Sequence, residues 1–184
     1  MSLPDFPRFA RVLMVLALAG LTAGCFQPLY GNRVTAGGEG VADKMRSIEV
    51  VPVIATASKR LPRVGGEVRN EVMYQLTGGG SPNSTAYQLK ISISSTNLQI
   101  ISDVATARAA VQNYGIDAYY TLTEVGTNKQ VVSSSTFSRV SYDIPGQQQR
   151  FAGDRGLRDA ENRAAKVIAE NIRNRLASYF VGGT

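Results

Sequence analysis

The sequence predicts an α+β domain: a two-layer sandwich in the order β-α-β-β-β-α, with two helices packed on one face of a mostly antiparallel four-stranded sheet. Three observations carry this prediction. The stretch "TAYQLKISISSTNLQI" (85–100) alternates apolar and polar residues. Val64, Val68, Val72 and Leu76 recur at four-residue steps. Near the carboxy terminus Leu157, Ala160, Ala164, Val167, Ile168, Ile172, Leu176 and Tyr179 recur at three- and four-residue steps. A period of two belongs to a strand with one buried face, and a period near 3.6 to a helix with one buried stripe. One polar-faced sheet and two amphipathic helices leave two layers as the economical packing.

The elements follow in order. "RSIEVVPV" (46–53) carries Ile48, Val50, Val51 and Val53 and reads as a strand, with Pro52 near its end, where no ladder donor is needed. Pro62 suits the first turn of the helix 62–77, and Gly78, Gly79 and Gly80 end it. The pair Gly65-Gly66 weakens that first turn, which favours a later start. In 85–100, Tyr87, Leu89, Ile91 and Ile93 face one way, and Gln88, Lys90, Ser92 and Ser94 the other. Ile116, Ala118, Tyr120 and Leu122 mark a second long strand over 108–125. "GTNK" (126–129) turns it into a third, "QVVSSSTFSRVSYD", and "IPGQQQRFAG" (144–153) reads as a loop before a helix from about Asp154 to Phe180.

Ahead of this domain, the chain opens with "MSLPDFPRFARVLMVLALAGLTAGC". Arg8 and Arg11 form a basic front, Val12 to Leu21 an apolar run, and the small residues Ala23 and Gly24 lead to Cys25. That is the plan of an export signal, with an apolar run short of the ~20 residues of a permanent span. Cys25 is the only cysteine and the chain has no histidine. A lone thiol without a disulfide partner or a histidine base is better explained as a lipid attachment site. The order Leu21-Thr22-Ala23-Gly24-Cys25 resembles a bacterial lipobox, with Thr22 where leucine is usual. Diacylglycerol on the sulfur and a fatty acid such as palmitate on the new amino terminus would give three chains, beyond the two needed for stable anchoring. Phe26 after the cysteine favours the outer membrane by the enterobacterial sorting rule.

The expected organisation is thus a signal peptide over 1–24, a lipidated terminus and flexible tether over 25–45, and one domain over 46–184. The signal removes Arg8, Arg11 and Asp5, lowering the formal charge from +6 to +5. A basic exported domain suits anionic lipid head groups, peptidoglycan or an acidic protein. Nucleic acid is a poor partner for an exported lipoprotein.

Catalytic chemistry is hard to assemble from this composition. Without histidine, and with its cysteine lipidated, the chain lacks the common metal sites and the Ser-His and Cys-His pairs. Glu67 and Glu71 share a helix face, as many solvated pairs do. Gly78–Gly80 lacks the Gly-Lys-Ser/Thr ending of a phosphate loop. No catalytic residue, metal or cofactor is expected. Tyr114, Tyr119 and Tyr120 suit core packing better than a binding surface. Lys90, Arg108, Lys129 and Arg139 lie on or beside the strands as surface charges or phosphate contacts.

The two ends of the mature chain carry a resemblance. "GCFQPLYG", with Cys25, Phe26, Pro28, Leu29, Tyr30 and Gly31, resembles the start of the LPS-assembly lipoprotein family, LptE. Arg158-Asp159-Ala160-Glu161, Arg163-Ala164 and Arg175-Leu176 look like that family's last helix. The middle strands agree in layout only, and the Gly that many members carry between the cysteine and the phenylalanine is absent. The resemblance implies a non-enzymatic outer-membrane lipoprotein of the Gram-negative envelope. Its partners would be the β-barrel LptD, which it plugs and helps to assemble, and lipopolysaccharide on its way to the surface. On that reading, Lys90, Arg108, Lys129 and Arg139 become candidates to meet lipopolysaccharide phosphates. A second reading is another envelope lipoprotein of similar size, such as an auxiliary subunit of a lipid-transport ABC system or a peptidoglycan-synthase activator. A hydrolase is a third, which the missing nucleophile and base oppose.

Overall fold

A computed structural model describes residues 40–55, 60–82, 84–103, 108–144 and 150–182. The expected signal, Cys25 and the tether up to residue 39 lie outside these residues. The elements are α1 (Val41–Arg46), β1 (Ile48–Val50), α2 (Leu61–Thr77), β2 (Tyr87–Asp103), β3 (Arg108–Glu124), β4 (Lys129–Asp143) and α3 (Arg150–Gly182). The fold is α+β, with helices on an open mixed sheet of order β1-β2-β3-β4. β1 runs parallel to β2 across the α2 crossover, and the other pairings are antiparallel.

Three strands of 15 to 17 residues make the sheet long and narrow. Its inner face follows the predicted alternation. Leu89, Ile91 and Ile93 of β2 lie buried beside Tyr114, Ile116, Ala118, Tyr120 and Leu122 of β3. On β4 the inner positions turn partly hydroxylic, with Val132 and Ser138 buried and Thr136 receiving a hydrogen bond from Asn171 Nδ2 at 3.0 Å.

The helices cover this face. α2 buries Leu61, Val64, Val68, Val72 and Leu76, and ends where Gly78 takes a left-handed φ of 72° and donates its N–H to the Tyr74 carbonyl. The helix does not start late as Gly65-Gly66 suggested. It begins at Leu61, and Gly65 is buried against Val53 and Ala55, where a larger side chain has little room. α3 packs on β3, β4 and α2 with Ile168, Ile172, Leu176 and Phe180. Between them, buried Ala160, Ala164, Ala165, Ala169 and Ala177 keep the seam narrow. Each fully buried Leu or Ile contributes about 1.5–3 kcal/mol over the exposed state.

Four expectations need correction. Residues 41–45, assigned to the tether, belong to α1, whose Val41 and Met45 are buried against the other two helices. Among the described residues the helices are therefore three. α3 starts at Arg150 rather than about Asp154, taking in residues assigned to a loop. β1 spans only three residues, the chain then touching β2 again through an isolated bridge from Ile54 to Ser92. Val167, placed on the buried stripe of α3, is 39% exposed, because the alanines occupy the face against the sheet.

Candidate functional site

With the helices on one face, the other face of the sheet stays open. Its side chains form rows across β2, β3 and β4: Lys90, Thr121 and Ser133; Ser92, Tyr119 and Ser135; Ser94, Asp117 and Phe137; Thr96, Gly115 and Arg139; Leu98, Asn113 and Ser141. Most positions carry hydroxyls or amides. Three large side chains break the pattern: Tyr119, Phe137 and Leu98 are 67%, 66% and 63% exposed. Tyr119 and Phe137 are diagonal neighbours on adjacent strands, within reach of one another's rims.

Arg139 lies flat across the same face. One guanidinium nitrogen donates to the Ile116 and Ser138 carbonyls at 3.2 and 3.0 Å, and the other to Asp117 Oδ1 at 2.7 Å. Its guanidinium carbon sits 5.5 Å from the Phe137 ring centroid, a cation–π distance. This pose requires Gly115. A Cβ there would stand 2.7 Å from Arg139 Cδ and 2.6 Å from Thr96 Oγ1, inside contact distance. The glycine therefore provides the bed on which the arginine rests.

The predicted site residues do not gather into one cluster. Lys90 is exposed on the open face and makes no ion pair among the described residues. It is three rows from Arg139, about 20 Å along the strand. Arg139 is on the same face, but Asp117 compensates its charge. Lys129 opens β4 beside the hairpin turn, opposite Glu124. Arg108 opens β3 at the far end of the hairpin, and Cys25 lies outside the described residues. Of the three tyrosines, Tyr114 and Tyr120 are core residues and Tyr119 is not. Tyr119 and Phe137, and separately Leu98, had a legible signal: each is a large apolar side chain at the polar phase of its strand.

A second charged cluster lies between the starts of α2 and α3. A recess of about 280 Å³ is lined by Arg60, Arg63, Asp154, Arg158 and Glu161. Its charges are largely paired: Arg60 with Asp154 at 3.4 Å, and Arg63 with the buried Glu161. Tyr114 lies near this pair. Burial, then the negative charge of Glu161, pushes its phenol above the ordinary value of 10.0, while a Ser95 hydrogen bond and Arg63 oppose the shift. Among the described residues no group of acidic side chains could hold a metal ion, and no helix is long and apolar enough to cross a membrane.

The family model for lipopolysaccharide-assembly LptE matches residues 45–176, which spans the described fold from the end of α1 into the last turns of α3. The chain belongs to the LptE family. The LptE fold recurs in a solved lipoprotein of Caulobacter crescentus CB15, with a TM-score of 0.60 and 23% identity over 77% of this chain and 96% of that one. The rare lipoprotein B of Shewanella oneidensis covers 71% of this chain and 95% of its own, at TM-score 0.49 and 13% identity. The minor lipoprotein of Acinetobacter baumannii gives the same score at 9% identity, over 72% and 92%. No curated protein matches the chain. Membership of LptE makes this a lipopolysaccharide-assembly lipoprotein of the cell envelope, in a family without enzymatic activity.

Proposed function

We propose that the chain is an outer-membrane lipoprotein, anchored on the periplasmic side through Cys25, that plugs the LptD β-barrel, assists its assembly and takes part in delivering lipopolysaccharide to the surface. The observation that carries this reading is the LptE match across the folded domain. The geometry supports it. A body seated in a barrel lumen must offer a polar surface, because barrel interiors are polar. The open sheet face supplies one in its rows of Ser, Thr, Gln and Asn.

Lipopolysaccharide is anionic and phosphorylated, and the basic excess of the mature chain suits it. Of Lys90, Arg108, Lys129 and Arg139, Lys90 has the clearest case, being exposed and unpaired among the described residues. Arg139 has the weakest, since its charge already faces Asp117. Affinity purification of the chain from detergent-solubilised membranes, with mass spectrometry of its partners, tests the proposal. Recovery of LptD supports it. Recovery of an inner-membrane permease or a peptidoglycan synthase in its place refutes it.

A further inference from the structure

We propose that the outer edge of β4 pairs antiparallel with the same edge of a second copy of the chain, joining two four-stranded sheets into one with Phe137 on the two-fold axis. The proposal goes beyond the barrel-plug reading and does not rest on it.

The unguarded edge is the first argument. Among the described residues β4 ends the sheet, and its outer side has no strand partner over 15 residues. The opposite edge is blunted: β1 has three residues, and the Val50 carbonyl accepts from Arg69 Nε at 3.0 Å. Proteins guard long edges with proline, bulges or free lysines, because unpaired edge groups are a template for another strand. β4 has its bulge at the start, where pairing shifts between Leu122 and Thr123, and its register is regular from Val132 to Tyr142. That segment contains no proline. Its one formal charge, Arg139, is turned back over β3 to the Ile116 carbonyl and Asp117.

Self-complementarity is the second argument, and it selects the occupant. A two-fold axis normal to the sheet keeps the helices of both copies on one side, so residues of like phase face each other. The register that pairs the whole regular segment sets Val132 opposite the partner's Tyr142, and Phe137 opposite its own copy. Val132 and Tyr142 both belong to the buried face, whereas Phe137, 66% exposed, gains a cross-strand aromatic contact. Arg139 falls opposite the partner's Ser135. The two Arg139 positions then stand about 13 Å apart along the strands, each charge against its own Asp117.

Size is the third argument. The paired segment is about 35 Å long, and a sheet carrying one helix layer presents an edge about 20 Å deep. The product, on the order of 700 Å², lies within the roughly 600–1,000 Å² per partner of a standard interface. α3 contributes to this edge. Its Arg163 and Asn171 bond to β4 at the Ser141 carbonyl and Thr136 Oγ1, and Val167, 39% exposed, lies one turn from each on the same stripe.

The test uses the full-length chain as processed in its own cells. Phe137→Cys, oxidised in isolated membranes, should form a disulfide-linked dimer, because residues facing across an antiparallel pair lie about 4.5–5.5 Å apart at Cα. Wild type controls for Cys25, and Tyr119→Cys, equally exposed but one strand in from the edge, should give no dimer. In a second arm, sedimentation equilibrium in density-matched detergent compares wild type with Ser135→Lys, which sets a lysine against the partner's Arg139. The expected result is a wild-type dimer, with association at least about tenfold weaker in the variant at an unchanged thermal midpoint. If Ser135→Lys fails to fold, the disulfide and the wild-type mass decide. A wild-type chain that stays monomeric well above micromolar concentration overturns the inference. So does a dimer in which position 119 cross-links as readily as position 137. Recovery of the barrel bears on the plug reading alone, so either reading can fail without the other.

Discussion

Arg63 and Glu161 join the first turn of α2 to α3 across 98 residues of sequence. The Glu161 side chain keeps only 4% of its exposure, whereas Arg63 keeps 44%. Replacing Arg63 with Met removes the partner and leaves a carboxylate buried beside the sheet. Breaking a fully buried pair in this way costs about 3–5 kcal/mol. Water reaching the guanidinium weakens the pair it formed, so the expected loss is smaller, about 2–4 kcal/mol. At roughly 2–4 °C per kcal/mol for a domain of this size, the midpoint should fall by about 5–15 °C. Urea unfolding, with the slope checked for constancy, measures the loss. The double variant Arg63→Met/Glu161→Leu supplies the decisive comparison. With both charges gone the site becomes apolar, and most of the loss should return. A single variant that loses less than about 1 kcal/mol, or a double variant no more stable than the single, refutes the reasoning.

Other outcomes are expected from the same structure. Leu176 is fully buried on α3, so Leu176→Asp should destabilise the domain by at least about 4 kcal/mol; an unchanged thermal midpoint would show that this face is misassigned. Cys25→Ala should abolish lipid attachment, and mass spectrometry of the mature wild-type amino terminus should find acyl chains rather than a free thiol. Lys90→Gln should weaken lipopolysaccharide binding and its salt dependence, with Arg139→Gln changing both less; equal effects at low salt would remove the distinction. Burial holds the Tyr114 phenol above the ordinary value of 10.0. Its contribution to stability is therefore fully present below about pH 10 and is lost as the pH rises through the raised value. Tyr114→Phe should lose less stability on that alkaline side, as chemical unfolding at several pH values would measure.

Much of the fold was legible because it is written in short-range periodicity. The alternation of Leu89, Ile91 and Ile93 and of Ile116, Ala118, Tyr120 and Leu122 names the buried face of each strand, and Val64, Val68, Val72 and Leu76 name that of α2. The pattern failed where burial is carried by few or small residues. α1 has only Val41 and Met45 to signal it, after a glycine-rich approach. The opening turns of α3 present the exposed Phe151 and no apolar stripe, so they read as loop. Further along, alanines carry the contact that Val167 was expected to make.

The candidate site was less legible because its geometry is built across strands. Arg139 and Asp117 are 22 residues apart, and only the β3–β4 register brings them together. The role of Gly115 is likewise invisible until Arg139 is seen lying over it. What the sequence did display was the wrong phase of Tyr119 and Phe137, a signal about surface rather than core.

Depletion of the chain in its own cells, followed by quantification of folded LptD and of lipopolysaccharide at the cell surface, tests the central claim most directly. The account predicts that both fall together, and that wild type restores them. Unchanged amounts of folded barrel and surface lipopolysaccharide after the chain has disappeared would contradict it.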